Sequence, residues 1–198
     1  MTHTRKLSSR FEGALIYASR LHARQTRKKT DTPYIAHLLG VTALVLESGG
    51  SEDEAIAALL HDAVEDQGGR KTLQEIRQRF GNKAADIVAG CTDTFVFPKP
   101  PWRGRKEAYI AHLHGASPEI RRVSLADKLH NARSILRDLR MDGEIIWEKF
   151  NGGKEGTLWY YRSLLDTFKK LDDNFLVGEL ERVVLEIERL AKQTTSTI

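Results

Sequence analysis

An all-α fold is predicted by three observations: apolar residues recur at helical spacing through most of the chain, capping signals precede several of these segments, and strand signals are scarce. The β-prone stretch 92–97 runs directly into Pro98, Pro100 and Pro101. The expectation is a helical bundle of about eight to ten helices. The first helix is expected from near Arg10 to Arg24, where Phe11, Ala14, Leu15, Ala18 and Leu21 share one face. A charged loop follows, and Thr32-Pro33 reads as an N-cap and first turn for a helix reaching Glu47 and stopping at Gly49-Gly50. Ser51 with Glu54 has the spacing of a capping box, and the segment after it, Ala55 to Leu60, is apolar all round, as a buried helix would be. Thr72 with Glu75 repeats the capping pattern before a short helix that ends at Phe80-Gly81.

Further helices are expected over 82–91, 105–114, 118–140, 155–168 and 175–192, with a proline-rich loop over 98–104. No repeat or linker interrupts this pattern. The reading is a single domain over 1–198, with the motif-bearing part over 10–140 and C-terminal helices over 141–192. The 40 % hydrophobic and 29 % charged residues are a globular mix. Cys91 alone cannot form a disulfide or a cysteine-based metal cluster within one chain. No apolar run approaches the ~20 residues of a membrane span. The polar, basic start lacks an apolar stretch behind it, so a cytoplasmic protein is expected.

A net charge of +4 raises the question of nucleic acid. Its distribution answers differently. Residues 1–30 hold eight basic residues against Glu12, whereas the rest of the chain holds 23 basic and 26 acidic residues. The excess belongs to one end. About half of it lies at Arg24, Arg27, Lys28 and Lys29, which suits a small, highly phosphorylated ligand better than a polymer.

Polar residues interrupt three segments where a core is expected. The apolar run 55–60 leads into His61-Asp62-Ala63-Val64-Glu65-Asp66; taken alone, this could be a helix end emerging into water. In the helix over 118–140, Ser124, Asp127 and Asn131 form one polar stripe among apolar residues, and a hydrogen-bonded structural Asp would account for it. His37 lies among Ile35, Leu38, Val41 and Val45, where a hydrogen-bonded core histidine is the ordinary explanation. Together, however, His37, His61, Asp62 and Asp127 make a two-imidazole, two-carboxylate set. Mn²⁺ or Fe²⁺ suits it best and Zn²⁺ is compatible. Such an ion lowers the pKa of a bound water. Glu65 and Asp66 then stand where they could orient that water or move its proton.

The same residues resemble the H…HD…D signature of the HD-domain metal-dependent phosphohydrolases. The finer likeness is to the hydrolase domain of the bifunctional alarmone synthetase/hydrolases and to the stand-alone small alarmone hydrolases. Four blocks carry it in order: His22 to Lys28 (H-A-R-Q-T-R-K), Thr32 to His37 (T-P-Y-I-A-H), Ala57 to Asp66 (A-A-L-L-H-D-A-V-E-D) and Leu125 to Arg133 (L-A-D-K-L-H-N-A-R). The resemblance implies hydrolysis of the 3′-pyrophosphate of purine alarmones such as ppGpp and pppGpp, or their adenosine analogues, with Mn²⁺ the usual metal. It assigns His37, His61, Asp62 and Asp127 as metal ligands and Glu65 and Asp66 as the catalytic acids. The implied substrate contacts are Arg27 and Lys28, with Arg24 beside them, and Lys128 and Asn131. Three departures stand out: Leu38 follows the first ligand where proline is common, Lys29-Thr30-Asp31 replaces a common glycine, and residues 95–104 are proline-rich and hold Trp102. The last two differences leave guanosine against adenosine open.

Other residues read as background. Arg5, Lys6 and Arg10 look like a solvated tail, Cys91 like a buried inert thiol, and His112 and His114 like surface residues. His130 reads as a packing group. Arg103, Arg105 and Lys106 could reach a distal phosphate or simply face water. Trp159, Tyr160 and Tyr161 include one core aromatic, and one tyrosine could flank the nucleotide. The expected partner is a small purine nucleotide, with no nucleic acid and no membrane, for a monomer or homodimer. Two other functions stay open: another HD-type nucleotidase or phosphodiesterase, and a nucleotide-binding protein without turnover, against which the Glu65-Asp66 pair argues.

Overall fold

In the computed structural model, which describes residues 6–28, 30–96 and 98–193, seven consecutive residues from Glu54 to Leu60 are buried. They belong to α3, Glu52–Leu60, the helix read as apolar on all sides. Its start is the expected capping box: Ser51 Oγ accepts from the Glu54 backbone N–H, and the Glu54 carboxylate accepts from the Ser51 N–H at 2.7 Å. The Glu54 carboxylate also pairs with Arg122, so its charge is compensated where it is buried.

The described residues contain ten α-helices, one 3₁₀ segment and no strand, and they divide into two compact units. One unit comprises Met1–Val96 with Ala116–Ala126, the other Phe97–Gly115 with Asp127–Ile198. In the first, α1 (Ser9–Leu21), α2 (Ile35–Glu47) and α6 (Asn82–Cys91) each pack against α3, and α5 (Gly69–Phe80) packs on the short α4 (Ala63–Asp66) and on α6. The core here is aliphatic, including Leu38, Val41, Val45, Ile56, Leu59, Leu60 and Ile76. In the second unit, α9 (Gly153–Leu171) packs against α7 (Trp102–Gly115), α10 (Phe175–Gln193) and the 3₁₀ segment Gly143–Lys149. Leu164, Leu165, Phe168, Leu176 and Leu180 form its apolar centre. Helix α8, Pro118–Asp142, contributes residues to both units. None of the helices is long and apolar enough to cross a membrane.

Several starts differ from the sequence expectation. Helix α2 begins at Ile35 rather than Pro33, and Thr32 does not cap it. Pro33 pairs with Thr26 in an isolated β-bridge, flanked by the bonds Arg27 N–H to Thr32 O at 2.8 Å and Tyr34 N–H to Gln25 O at 2.9 Å. The backbone groups that a helix turn would have used are spent across this narrow neck. Helix α5 begins at Gly69 rather than after Thr72. Gly68 and Gly69 both adopt positive φ, which lets the chain turn sharply out of α4, and Thr72 Oγ1 donates instead to the Gln67 carbonyl at 2.7 Å.

Helix α3 ends at Leu60 and α4 starts at Ala63, so His61 and Asp62 lie between two helices. Helices α7 and α9 each begin a few residues earlier than expected, at Trp102 and Gly153. Trp102 lies so close to the start of α9 that a Cβ on Gly152 would stand 2.6 Å from its ring.

Arg10 is not part of a solvated tail. Its guanidinium bonds Asp53 and the Phe80 carbonyl, and so ties the start of α1 to α3 and to the end of α5. Arg5 lies outside the described residues. Ser8 caps α1 through its side chain, and its backbone N–H donates to Glu52; these bonds to Ser8 hold the Glu52 carboxyl below its ordinary pKa. Cys91 is half-buried rather than buried, with Sγ 3.7 Å from Ser124 Oγ. Tyr160 and Tyr161 are both buried, where one core aromatic was expected near Trp159. His112 and His114 are exposed, as expected.

Two outcomes follow. Ser51→Ala removes the cap of α3 and is expected to lower unfolding stability by about 1 kcal/mol in urea titration. Gly152→Ala forces the Trp102 indole to move and is expected to change the near-ultraviolet circular dichroism of the native protein while leaving its helix content intact.

Candidate metal centre

The break between α3 and α4 places His61 and Asp62. His61 is buried, so the chain does not simply emerge into water at this point. Its Nδ1 lies 2.8 Å from the Ala58 carbonyl, an acceptor, so Nδ1 carries the proton. In the neutral imidazole this leaves a lone pair on Nε2. That atom lies 3.1 Å from Asp62 Oδ2. His37, buried on the first turn of α2, brings its own Nε2 to 3.6 Å from the same oxygen.

Two imidazole nitrogens therefore converge on one carboxylate oxygen. A lone pair held 3.1 Å from a carboxylate oxygen is unfavourable unless a cation is shared between them. A proton satisfies one pair. A divalent ion satisfies all three atoms, and imidazole with carboxylate is a donor set that such ions take. The bond from His61 Nδ1 to a backbone carbonyl is also how metal-binding histidines are commonly oriented. The residues present thus fit a divalent metal.

Tyr34 holds this arrangement from the side. Its hydroxyl donates to Asp62 Oδ2 at 2.5 Å. Its ring stacks on His22 with centroids 5.3 Å apart, meets His37 edge-on at 5.6 Å, and lies beneath the Arg27 guanidinium at 5.7 Å. Tyr34 and His22 lie within the sequence blocks, which assign a task to neither. The aromatic between two histidine-bearing segments was the available signal.

The acidic pair sits on α4, one turn beyond Asp62. Glu65 is half-buried and Asp66 is exposed. Gln25 Nε2 donates to Asp66 Oδ2 at 2.7 Å. Arg24 and Lys28 are exposed and Arg27 is half-buried against Tyr34, so the three cations named from sequence lie on the same loop as Gln25.

In the second unit, Asp127 on α8 is buried. Asn131 Nδ2 donates to its Oδ1 and Lys128 Nζ to its Oδ2, each at 2.6 Å. Burial opposes the charge on Lys128, but Asp127, followed by Tyr109 and Tyr160, outweighs it and holds the ammonium pKa well above its ordinary value. Lys128 and Asn131, both named from sequence as substrate contacts, thus fix the Asp127 carboxylate. Arg103 lies over the Trp159 ring and also bonds Glu107, while Lys106 Nζ lies 5.1 Å from the Tyr160 ring centre.

These features define a class: an all-α protein in which two buried histidines meet a carboxylate in a donor set suited to a divalent ion. A family model described as HD domain matches residues 14–158, and the chain belongs to that family. Among curated proteins it is 40 % identical over 124 residues to the Xenopus tropicalis guanosine-3′,5′-bis(diphosphate) 3′-pyrophosphohydrolase MESH1, and 38 % identical over 124 residues to the human protein of that name. Each match covers 61 % of this chain and 66 % of the relative, just under two thirds of its length. Among solved structures it resembles one described as a metazoan ortholog of SpoT that hydrolyzes ppGpp, with a TM-score of 0.71 at 26 % identity, over 96 % of this chain and 97 % of the other.

Tyr34→Phe deletes one hydroxyl while keeping the ring stack. Because removing a group that orients a ligand costs roughly 10- to 100-fold in metal affinity, titration of the variant with Mn²⁺ is expected to show binding at least tenfold weaker than in the parent protein.

Proposed function

We propose that this chain hydrolyses the 3′-pyrophosphate of a purine alarmone such as ppGpp or pppGpp, or the adenosine analogue, releasing pyrophosphate. The observation that carries the reading is the convergence of His37, His61 and Tyr34 on Asp62, with an acidic pair one helical turn away. The names of the similar proteins support the choice of substrate. The reading takes residues 1–198 as one HD-type catalytic domain, in keeping with a family match that includes residues of both units.

His37, His61, Asp62 and Asp127 would hold the metal, with Mn²⁺ as the proposed ion and Fe²⁺ or Zn²⁺ as alternatives. Bound there, a divalent ion supplies Lewis acidity, lowering the pKa of water into the neutral range. The remaining work falls to the protein. Asp62 and Asp127 supply the negative charge of the site. Each is held by donors: Tyr34 for the first, and Lys128 and Asn131 for the second. Glu65 and Asp66 handle protons: one carboxylate takes the proton of the attacking water, and a proton is returned to the 3′ oxygen as its bond to phosphorus breaks. The water oxygen ends on the departing pyrophosphate and the ribose regains a 3′-hydroxyl.

Arg24, Arg27 and Lys28 contact the substrate's phosphates. Arg27 already lies over an aromatic ring, and a guanidinium in that position can meet phosphate and base together. Lys128 and Asn131 complete the substrate contacts. The nucleotide is a small-molecule partner; a cytoplasmic setting, the absence of nucleic-acid and membrane partners, and a monomeric or dimeric state belong to the same proposal.

The test is pyrophosphate release from ppGpp and ppApp, followed by nucleotide chromatography. Mn²⁺-loaded protein is expected to turn over at least one of them. EDTA is expected to abolish the activity and Mn²⁺ to restore it. Asp62→Ala is expected to lower the rate at least 1,000-fold, since each catalytic contribution of this kind is worth roughly 10²–10⁴. A loaded parent protein that releases no pyrophosphate from either nucleotide would overturn the reading.

A further inference from the structure

We infer that Gln25 is a positioning residue, which holds the Asp66 carboxylate in the orientation its proton-handling task requires. The inference rests on the hydrolase reading for the task of Asp66, and on the geometry below for the part played by Gln25.

Asp66 is exposed, and an exposed carboxylate on a short helix samples several rotamers unless something holds it. One donor that meets it comes from 41 residues away. Gln25 Nε2 donates to Asp66 Oδ2 at 2.7 Å, while Gln25 Oε1 accepts from Gln67 Nε2 at 2.7 Å and lies 2.7 Å from His22 Nδ1. A carboxamide can be turned end for end, so its orientation needs an independent argument. Here the surroundings decide it. Asp66 as a carboxylate only accepts, so the nitrogen of Gln25 must face it. The oxygen then faces the other way and takes protons from Gln67 and from His22, whose Nδ1 is therefore the protonated nitrogen.

His22 is itself fixed. It is 2 % exposed and its ring is stacked on Tyr34. Its Nε2 is buried and meets no hydrogen-bond partner among the described residues, so Nδ1 is the ring nitrogen that engages Gln25. A buried, immobile imidazole thus aims Gln25, and Gln25 aims Asp66. Gln67, adjacent to Asp66, is clamped by the same amide, so the end of α4 is held at two successive side chains. Tyr34 presses on His22 and also donates to Asp62. The group that orients the acid and the group that orients the metal-binding carboxylate are therefore in contact, and the spacing from Asp62 to Asp66 is under common control.

A role confined to holding the loop against α4 would leave a different kinetic trace from a role exerted through Asp66. The experiment is a double-mutant cycle with Gln25→Ala, Asp66→Asn and the combined variant, each assayed for kcat and KM on ppGpp with saturating Mn²⁺, and each checked for native circular dichroism. Gln25→Ala is expected to lower kcat roughly 10- to 100-fold, a share of the usual worth of a general acid or base, with KM changed by less than about threefold. The combined variant is expected to match Asp66→Asn alone, because the positioned group is already gone. Gln25→Glu keeps the length of the side chain but sets a carboxylate against Asp66; it is expected to lose at least as much and to move the carboxylate-dependent limb of the pH–rate profile to higher pH.

An unchanged kcat in Gln25→Ala, or an equal fold-loss with and without Asp66, overturns the inference while leaving the hydrolase reading intact. A parent protein inactive on every alarmone defeats that reading and the catalytic part of the inference together. The bond itself has a separate readout. The side-chain amide resonances of Gln25 in a ¹⁵N–¹H spectrum of the metal-free protein are expected to shift in Asp66→Asn, and an absence of shift overturns the bond.

Discussion

Everything arranged around the break between α3 and α4 depends on one carboxylate oxygen. Asp62 Oδ2 receives the Tyr34 hydroxyl and faces the Nε2 atoms of His37 and His61. Such crowding is tolerable only where the polar atoms share positive charge, and it sets demands on the rest of this unit. His61 must keep its tautomer, which the Ala58 carbonyl secures. The backbone beneath must not shift, which the fully buried body of α3 secures. The capping box at Ser51 and the pairing of Glu54 with Arg122 then hold the far end of that helix. Aliphatic packing supplies rigidity at one end of α3 so that polar atoms can be held close at the other.

The second unit solves a related problem by different means. Asp127 is buried among aliphatic neighbours on α8, and its two oxygens accept hydrogen bonds from Lys128 and Asn131 on the same helix. An i,i+4 partner and an adjacent lysine make this arrangement local, so it requires little of the surrounding fold beyond a continuous helix. Lys128 in turn lies 4.8 Å from the Tyr109 ring centre, which gives its charge a favourable aromatic face where water is scarce.

Much of this was legible in the sequence, for physical reasons. Helical period and the Ser51–Glu54 spacing are local signals, and they placed α3, α6 and α10 closely. A buried apolar run followed directly by His61-Asp62 signalled a conflict between burial and charge, but not that the helix would break there. Two kinds of feature escaped. Helix starts at Ile35 and Gly69 were misplaced because the Thr26–Pro33 bridge and the Gly68-Gly69 turn compete for the same backbone groups, and neither is visible in a capping pattern. Arg10, Gln25 and Tyr34 escaped as individuals because their partners, Asp53, Asp66 and Asp62, lie 28 to 43 residues away. Such tasks are set by packing, and only the fold reveals them.

The neck formed by Thr26 and Pro33 carries a consequence for how this protein can diversify. Its two flanking backbone bonds close the chain on itself, with Gln25 and Tyr34 on the base side and Lys28 on the enclosed side. What lies inside such a clasp can vary in length and charge at little expense to what lies below it. Changes inside the clasp can therefore leave in place the bonds that Gln25 and Tyr34 make below it to Asp66 and Asp62.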